Sequence, residues 1–201
     1  VFFNTGLVEK APIMDNVIYY DGTVASDPTN EKFLHNEFGV NYRLGKLGIN
    51  ASAYNTDWQD RNLTKSVTTG QGSSGDTDVI FLTGVNQKHS GVELETNYMV
   101  NDMLDLMFVA SFGNWKFDGD ANGNYQETEY NSEGQAVGYT TTEYAYALDG
   151  LYVGDMPQTS YVLGVTLKPI KDLRIQAIHK MYDKNYSDWS PSAREFDGTN
   201  D

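Results

Sequence analysis

Residues 118–129 read Asp-Gly-Asp-Ala-Asn-Gly-Asn-Tyr-Gln-Glu-Thr-Glu. They fit the D-x-[DN]-x-[DN]-G-x5-E pattern of a calcium loop throughout. Asp118, Asp120 and Asn122 would offer side-chain oxygens at positions 1, 3 and 5, and Asn124 its backbone carbonyl at position 7. Gly123 would allow the sharp turn, and Glu129 would bind with both oxygens. The expected cofactor is therefore Ca2+, held by these five residues. The flanks differ from those of an EF-hand, because Gly113–Phe117 reads as strand and 130–134 as turn. The competing reading is a solvated acidic loop.

The same stretch, 117–157, carries eight carboxylates, six tyrosines and no Lys or Arg. Tyrosine has an apolar ring and a polar tip, which suits contact with sugars, peptides and other solutes. Tyr125, Tyr130, Tyr139, Tyr144 and Tyr146 are accordingly the expected ligand-contacting residues. A loop that only keeps the surface solvated is the alternative. Signals for catalysis are weak. His35, His89 and His179 stand in no metalloprotease spacing, and no G-x-S-x-G elbow occurs. Glu93 and Glu95 share a face and could act on a substrate, but they also suit a solvated wall. No catalytic residue is assigned, and enzyme activity is not expected.

The elements that must position these groups are strands. Period-two alternation recurs along the chain. In 89–100, Ser90, Val92, Leu94, Thr96, Tyr98 and Val100 oppose Gly91, Glu93, Glu95 and Asn97. Similar runs cover 34–43, 47–57, 103–116, 160–168 and 173–184. They pair through the short connections 44–46, 101–102 and 169–172, which are rich in turn residues. Between the pairs lie long polar stretches, 58–88 and 117–159, read here as loops. A further one, 185–201, ends the chain. Short turns alternating with long loops, and strands of about 9–11 residues, are the layout of transmembrane β-barrels. Tyr42 and Tyr98 fall at the short-turn ends of the apolar face, where an interfacial aromatic girdle belongs. The opposite face would carry His35, Glu37, Arg43, Glu93, Glu95, Asn97 and Lys168 toward a lumen.

Composition narrows the class. The formal net charge of -14 and pI of about 4.4 argue against nucleic-acid binding, which needs a basic face. There is no cysteine, so disulfides and thiolate metal sites are excluded. No run approaches the roughly 18 apolar residues of a spanning helix, and the N-terminus lacks the pattern of a signal peptide.

Three stretches resemble one family. Asp27-Pro28-Thr29-Asn30-Glu31-Lys32 is followed by Glu37-Phe38-Gly39-Val40-Asn41-Tyr42-Arg43. Phe81-Leu82-Thr83-Gly84-Val85-Asn86 precedes His89-Ser90-Gly91-Val92-Glu93-Leu94-Glu95. Tyr152-Val153-Gly154-Asp155-Met156-Pro157-Gln158 opens a further strand. Their order and spacing are similar to the barrel of TonB-dependent outer-membrane receptors of the Bacteroidetes type. The resemblance implies an outer-membrane location in a Gram-negative bacterium and a barrel of about 22 strands around a plug. It further implies import of a scarce or large solute such as a siderophore, cobalamin, oligosaccharide or peptide. Its partners would be outer-membrane lipid, the solute, and the TonB system acting through the plug.

The expected fold is therefore an all-β, antiparallel, up-and-down transmembrane β-barrel segment with short periplasmic turns and long extracellular loops. Residues 1–201 would be part of one barrel domain from the C-terminal half of a receptor, without the plug. Two alternatives remain open. One is a secreted or surface-attached β domain binding calcium and possibly glycan. The other is an outer-membrane enzyme on a small closed barrel.

Overall fold

A computed structural model describes residues 1–19, 21–25, 28–68 and 77–196. Asp27 of the family-like motif lies outside the described residues, as do 69–76 and 197–201. The fold is all-β and antiparallel. Its strands are β1 (Phe2–Lys10), β2 (Glu31–Leu44), β3 (Leu47–Thr68), β4 (Thr77–Asn101), β5 (Leu104–Phe117), β6 (Ala121–Tyr130), β7 (Ala136–Tyr146), β8 (Pro157–Ile170), β9 (Leu173–Asn185) and β10 (Glu195–Phe196). All ten belong to one sheet, whose main path runs β1-β2-β3-β4-β5-β8-β9. The sheet is open, with β1 and β9 at its edges.

Five of the six segments expected as strands lie inside longer ones, and 103–116 is matched one residue along by β5. The stretches read as loops are largely strand too. Residues 58–68 and 77–88 extend the β3–β4 pair upward, register Thr68 with Thr77, and make these strands 22 and 25 residues long. Residues 121–130 and 136–146 form a second hairpin, β6–β7. The signal was present in Val79-Ile80-Phe81-Leu82, a short continuous apolar run. Such a run marks a strand covered on both faces rather than a loop.

β4 is the branch point. Its lower part, Gln87–Asn101, pairs with β5, whereas Val79–Thr83 pairs with β6. The register of β3 on β4 shifts between Trp58 and Leu63. Asp60 and Gly84, at φ of 55° and 67°, carry the left-handed backbone that such a bulge uses. Asn86 secures the fork. Its side-chain carbonyl accepts the Asp60 amide at 2.9 Å, and its backbone carbonyl accepts the Asp118 amide at 3.0 Å.

Above the fork lies a compact head with a core of Ile80, Leu82, Val85, Phe117, Ala121, Tyr146 and Leu148. Buried Asn16, on a short 3-10 turn, clips residues 14–16 to this head by donating to the Leu82 carbonyl at 2.8 Å.

Below the fork the molecule is one layer thick. Cross-strand registers align its apolar face in rows. Leu44, Leu47, Tyr98 and Leu106 form one row, then Tyr42, Ile49, Thr96 and Phe108. Above them come Val40, Ala51, Leu94 and Ala110, then Phe38, Ala53, Val92 and Phe112. The next row is abruptly polar: Asn36, Asn55, Ser90 and Asn114. Beyond it stand Leu34, Asp57, Lys88 and Lys116. The band is not covered by the protein. Phe38, Val40, Tyr42, Leu44, Val92, Tyr98, Leu106, Phe112, Leu163, Val165 and Leu167 are all exposed.

Candidate functional site on the polar face

The strand alternation that places the apolar band on one face places a second set of side chains on the other. One row of that face is His35, Thr56, His89 and Trp115, and the row above it is Phe33, Trp58, Gln87 and Phe117. Tyr54 stands in the row below, opposite Gly91. The rings touch in sequence across four strands. Phe33 meets Trp58 edge-on at 5.7 Å, and His35 stacks near Tyr54 at 6.3 Å. Trp58 meets His89 at 6.4 Å, and His89 stacks on Trp115 at 5.5 Å.

Glycines let two of these rings lie flat. A Cβ on Gly91 would meet the Tyr54 hydroxyl at 2.5 Å, and one on Gly113 would meet the Trp115 indole nitrogen at 2.9 Å. Tyr54 and Trp115 therefore lie along the sheet. Their polar ends are joined, with the indole N–H donating to the Tyr54 oxygen at 2.8 Å.

Two charged groups above the strip are held in place. Arg61 lies 4.2 Å over the Trp58 ring and donates to Gln87 at 3.1 Å. Buried Glu31 accepts from the Trp58 indole at 3.3 Å and pairs with Lys10. His89, three residues beyond Val92 at the top of the apolar band, is held down to about 4 by burial and by the nearby Arg61 cation, so it is neutral at physiological pH. Arg61 itself is pulled down by burial and raised by Glu31.

The upper edge of the strip opens into a cleft of about 500 Å3 lined by Trp58, Arg61, Gln87, His89, Trp115 and Asp155, among others. Residues 153–156 and 188–189 form its other side. Buried Gln158 fixes the 153 stretch by accepting the Trp115 amide at 2.9 Å and donating to the Trp115 and Val153 carbonyls. Tyr152 and Tyr186 stack in parallel at 4.2 Å and tie the C-terminal segment down.

Below the strip the wall is acidic and amide-rich, with Glu37, Glu93, Glu95, Asn41, Asn50 and Ser52. Asn4 donates to Glu37 at 3.1 Å and Asn97 to Glu95 at 2.7 Å. His35, Glu37, Arg43, Glu93, Glu95, Asn97 and Lys168 do share this face. Lys168 pairs with Asp105 at 2.5 Å near the short turns.

The calcium motif is arranged differently from its expectation. Most of 118–129 is strand β6 rather than a closed loop. Asp118 pairs with Lys88 at 2.7 Å. Asp120 accepts the amides of Leu148 and Asp149 at 2.9 and 3.0 Å. Asn122 lies in register with Thr83 and Ala145, and Asn124 donates to the Tyr19 hydroxyl at 2.9 Å. Glu129 accepts from Thr140. Gly123 does not serve a turn: a Cβ there would strike Leu82, Ile80 and Tyr146 at 2.8–2.9 Å. Among the described residues no three His, Asp or Glu side chains gather into a set that could hold a metal ion.

The five tyrosines are also dispersed. Tyr146 is fully buried in the head core. Tyr125 and Tyr144 meet edge-on at 6.1 Å against that core. The Tyr125 hydroxyl donates to buried Asp78 at 2.6 Å, and burial and that partner raise its pKa. Tyr130 and Tyr139 lie farther along the β6–β7 hairpin.

The strip itself was not singled out in the sequence. Its signal was aromatic and His residues on the polar parity: 54 and 58 on β3, 33 and 35 on β2, 89 on β4 and 115 on β5. No family model matches the chain, and no curated protein or solved structure matches it either.

Proposed function

We propose that this chain forms part of the wall of an outer-membrane β-barrel, and that the barrel imports a solute as a receptor of the TonB-dependent kind. The observation that carries the barrel reading is the exposed apolar band and its abrupt upper limit. On β5 the band runs from Leu104 to Phe112, eight steps and about 26 Å along the strand, close to the ~25 Å apolar height of such barrels. Aromatics border it at both ends, with Tyr42 and Tyr98 below and Phe38, Phe112 and Tyr161 above.

The band also crosses the register obliquely. On β2 it ends at Phe38. On β9 it ends at Met181, which aligns through Tyr161, Ala110, Leu94 and Ala51 with Val40, one row lower. Its lower limit falls by one or two rows, from Leu44 on β2 to Ile175 and Leu173 on β9. Over five interstrand steps this is an inclination of roughly 15–30°, somewhat below the ~35–45° of transmembrane barrels. A soluble sandwich would instead cover its apolar face with a second layer.

In this reading the head lies outside the membrane, and the polar face lines the path of the solute. The assignment to TonB-dependent receptors rests on the sequence resemblance. A depth measurement tests the membrane reading. Tryptophan at Leu163 on the apolar face is expected to be quenched by brominated acyl chains in liposomes, whereas tryptophan at Ser160 on the polar face is not. Equal quenching at the two positions, or a protein that stays monodisperse without detergent, refutes it.

A further inference from the structure

We propose that the strip Tyr54–Trp58–His89–Trp115 is a binding subsite for a neutral oligosaccharide, an inference that rests on the polar face being the wall of a solute path. Four observations lead to this chemistry. First, Tyr54 and Trp115 lie flat along the wall because Gly91 and Gly113 leave room beneath them. A ring held flat by its own strand neighbours presents one π-face outward, and the apolar C–H face of a sugar ring stacks on such a surface.

Second, hydrogen-bonding groups border the rings. His35 stands level with them, and Glu37, Glu93 and Asn50 line the wall below. Carboxylates and amides at the rim of an aromatic surface can accept from and donate to neighbouring hydroxyls. Third, the charged groups above the rings are already engaged. Arg61 is spent on Trp58 and Gln87, and Glu31 on Lys10 and Trp58. An anionic ligand would have to draw Arg61 from those contacts and meet Glu37 and Glu93 below, whereas a neutral one can donate its hydroxyls to these carboxylates. Fourth, the strip crosses β3 to β5, two interstrand steps and about 10 Å. That is a length for a short chain of sugar rings rather than one. The cleft above it, about 500 Å3, leaves room for the chain to continue toward the head.

The test uses the detergent-folded protein and a panel of neutral linear gluco-, xylo- and manno-oligosaccharides, with binding read by calorimetry. A basic peptide and a sulfated oligosaccharide serve as charged comparisons. The expected result is saturable binding of at least one neutral series, tightening with chain length and outcompeting both charged probes. Trp115→Ala is expected to weaken it about tenfold or more, and Trp115→Phe, which keeps a ring over Gly113, to restore most of it. Val137→Ala, exposed on β7 and away from both strip and cleft, is expected to bind as the parent does.

Circular dichroism and the Leu163 and Ser160 quenching pair are run on the same preparations. Failure of every neutral series to bind a protein that inserts normally overturns the subsite and leaves the barrel reading standing. So does binding that Trp115→Ala leaves unchanged, or a preference for either charged probe. Sugar binding by a protein that does not enter bilayers overturns the barrel reading instead and places the same strip on a surface domain.

Discussion

The head above the fork and the single layer below it are built from the same strands yet obey opposite rules. In the head, β3 and β4 are covered by β6, β7 and residues 148–153, and Ile80, Leu82 and Tyr146 are fully buried. Below the fork, the same two strands expose Val92 and Tyr98 on one face, with Glu93 and Asn97 exposed on the other. The head closes its own hydrophobic account within the described residues. The lower layer leaves its apolar face open, which in water would be an aggregation liability. The lesson is that apolar alternation alone does not make a core. A core needs a second layer, and below the fork the described residues supply none.

This contrast can be broken from either side. The largest effect is expected in the head. Leu82→Ala removes a fully buried side chain from the centre of the core and should cost about 2–5 kcal/mol. Urea unfolding monitored at a head tryptophan such as Trp189 measures it. Phe38→Ala in the exposed band should change stability in detergent far less, and an equal loss at both sites would erase the distinction.

The second prediction reverses the environments. Val40→Arg, midway up the band on β2, should cost about 2–4 kcal/mol when the protein folds into a bilayer. It should cost almost nothing in the head-dependent transition. The folding equilibrium in liposomes, compared with that of the parent protein, is the measurement. A neutral result would mean that lipid does not cover this face.

The third and smallest concerns the boundary between the regions. His89 stands three residues beyond Val92 at the top of the band, with a pKa of about 4, lowered by burial and Arg61, against about 6.5 in an unfolded chain. Between those values the unfolded chain takes up the proton first. Stability should therefore hold above pH 6.5 and decline as pH falls toward 4. His89→Gln should flatten that decline without altering stability at neutral pH by the same amount. Melting curves at pH 7.5 and 4.5 for both proteins settle the sign.

Much of the lower layer was legible. The alternation at 34–43, 47–57 and 89–100, with turns at 44–46 and 101–102, specifies hairpins directly, because a period of two and a short turn leave little choice of pairing. The head was not legible in the same way. Residues 58–68 and 117–146 are polar, and polar composition resembles a loop when each stretch is read alone. They become strands because β4 offers two edges above Asn86 and because Gly123 lets β6 close against Leu82 and Tyr146. The calcium pattern is drawn out along a strand for a related reason. Spacing along a chain brings ligands together only if the chain turns, and an extended strand spreads the same residues apart.

The strip gives the last division. By itself the sequence determined an all-β chain with two faces of opposite character, because side chains alternate wherever the backbone is extended. It determined that Tyr54, Trp58, His89 and Trp115 all belong to the polar face once their strands are paired. Which rings would meet was decided only by tertiary structure. That required a register aligning Thr56 with His89 and His89 with Trp115, and glycines opposite Tyr54 and beneath Trp115 that let large rings lie flat. Register and close approach are relations between distant segments, and no local pattern encodes them.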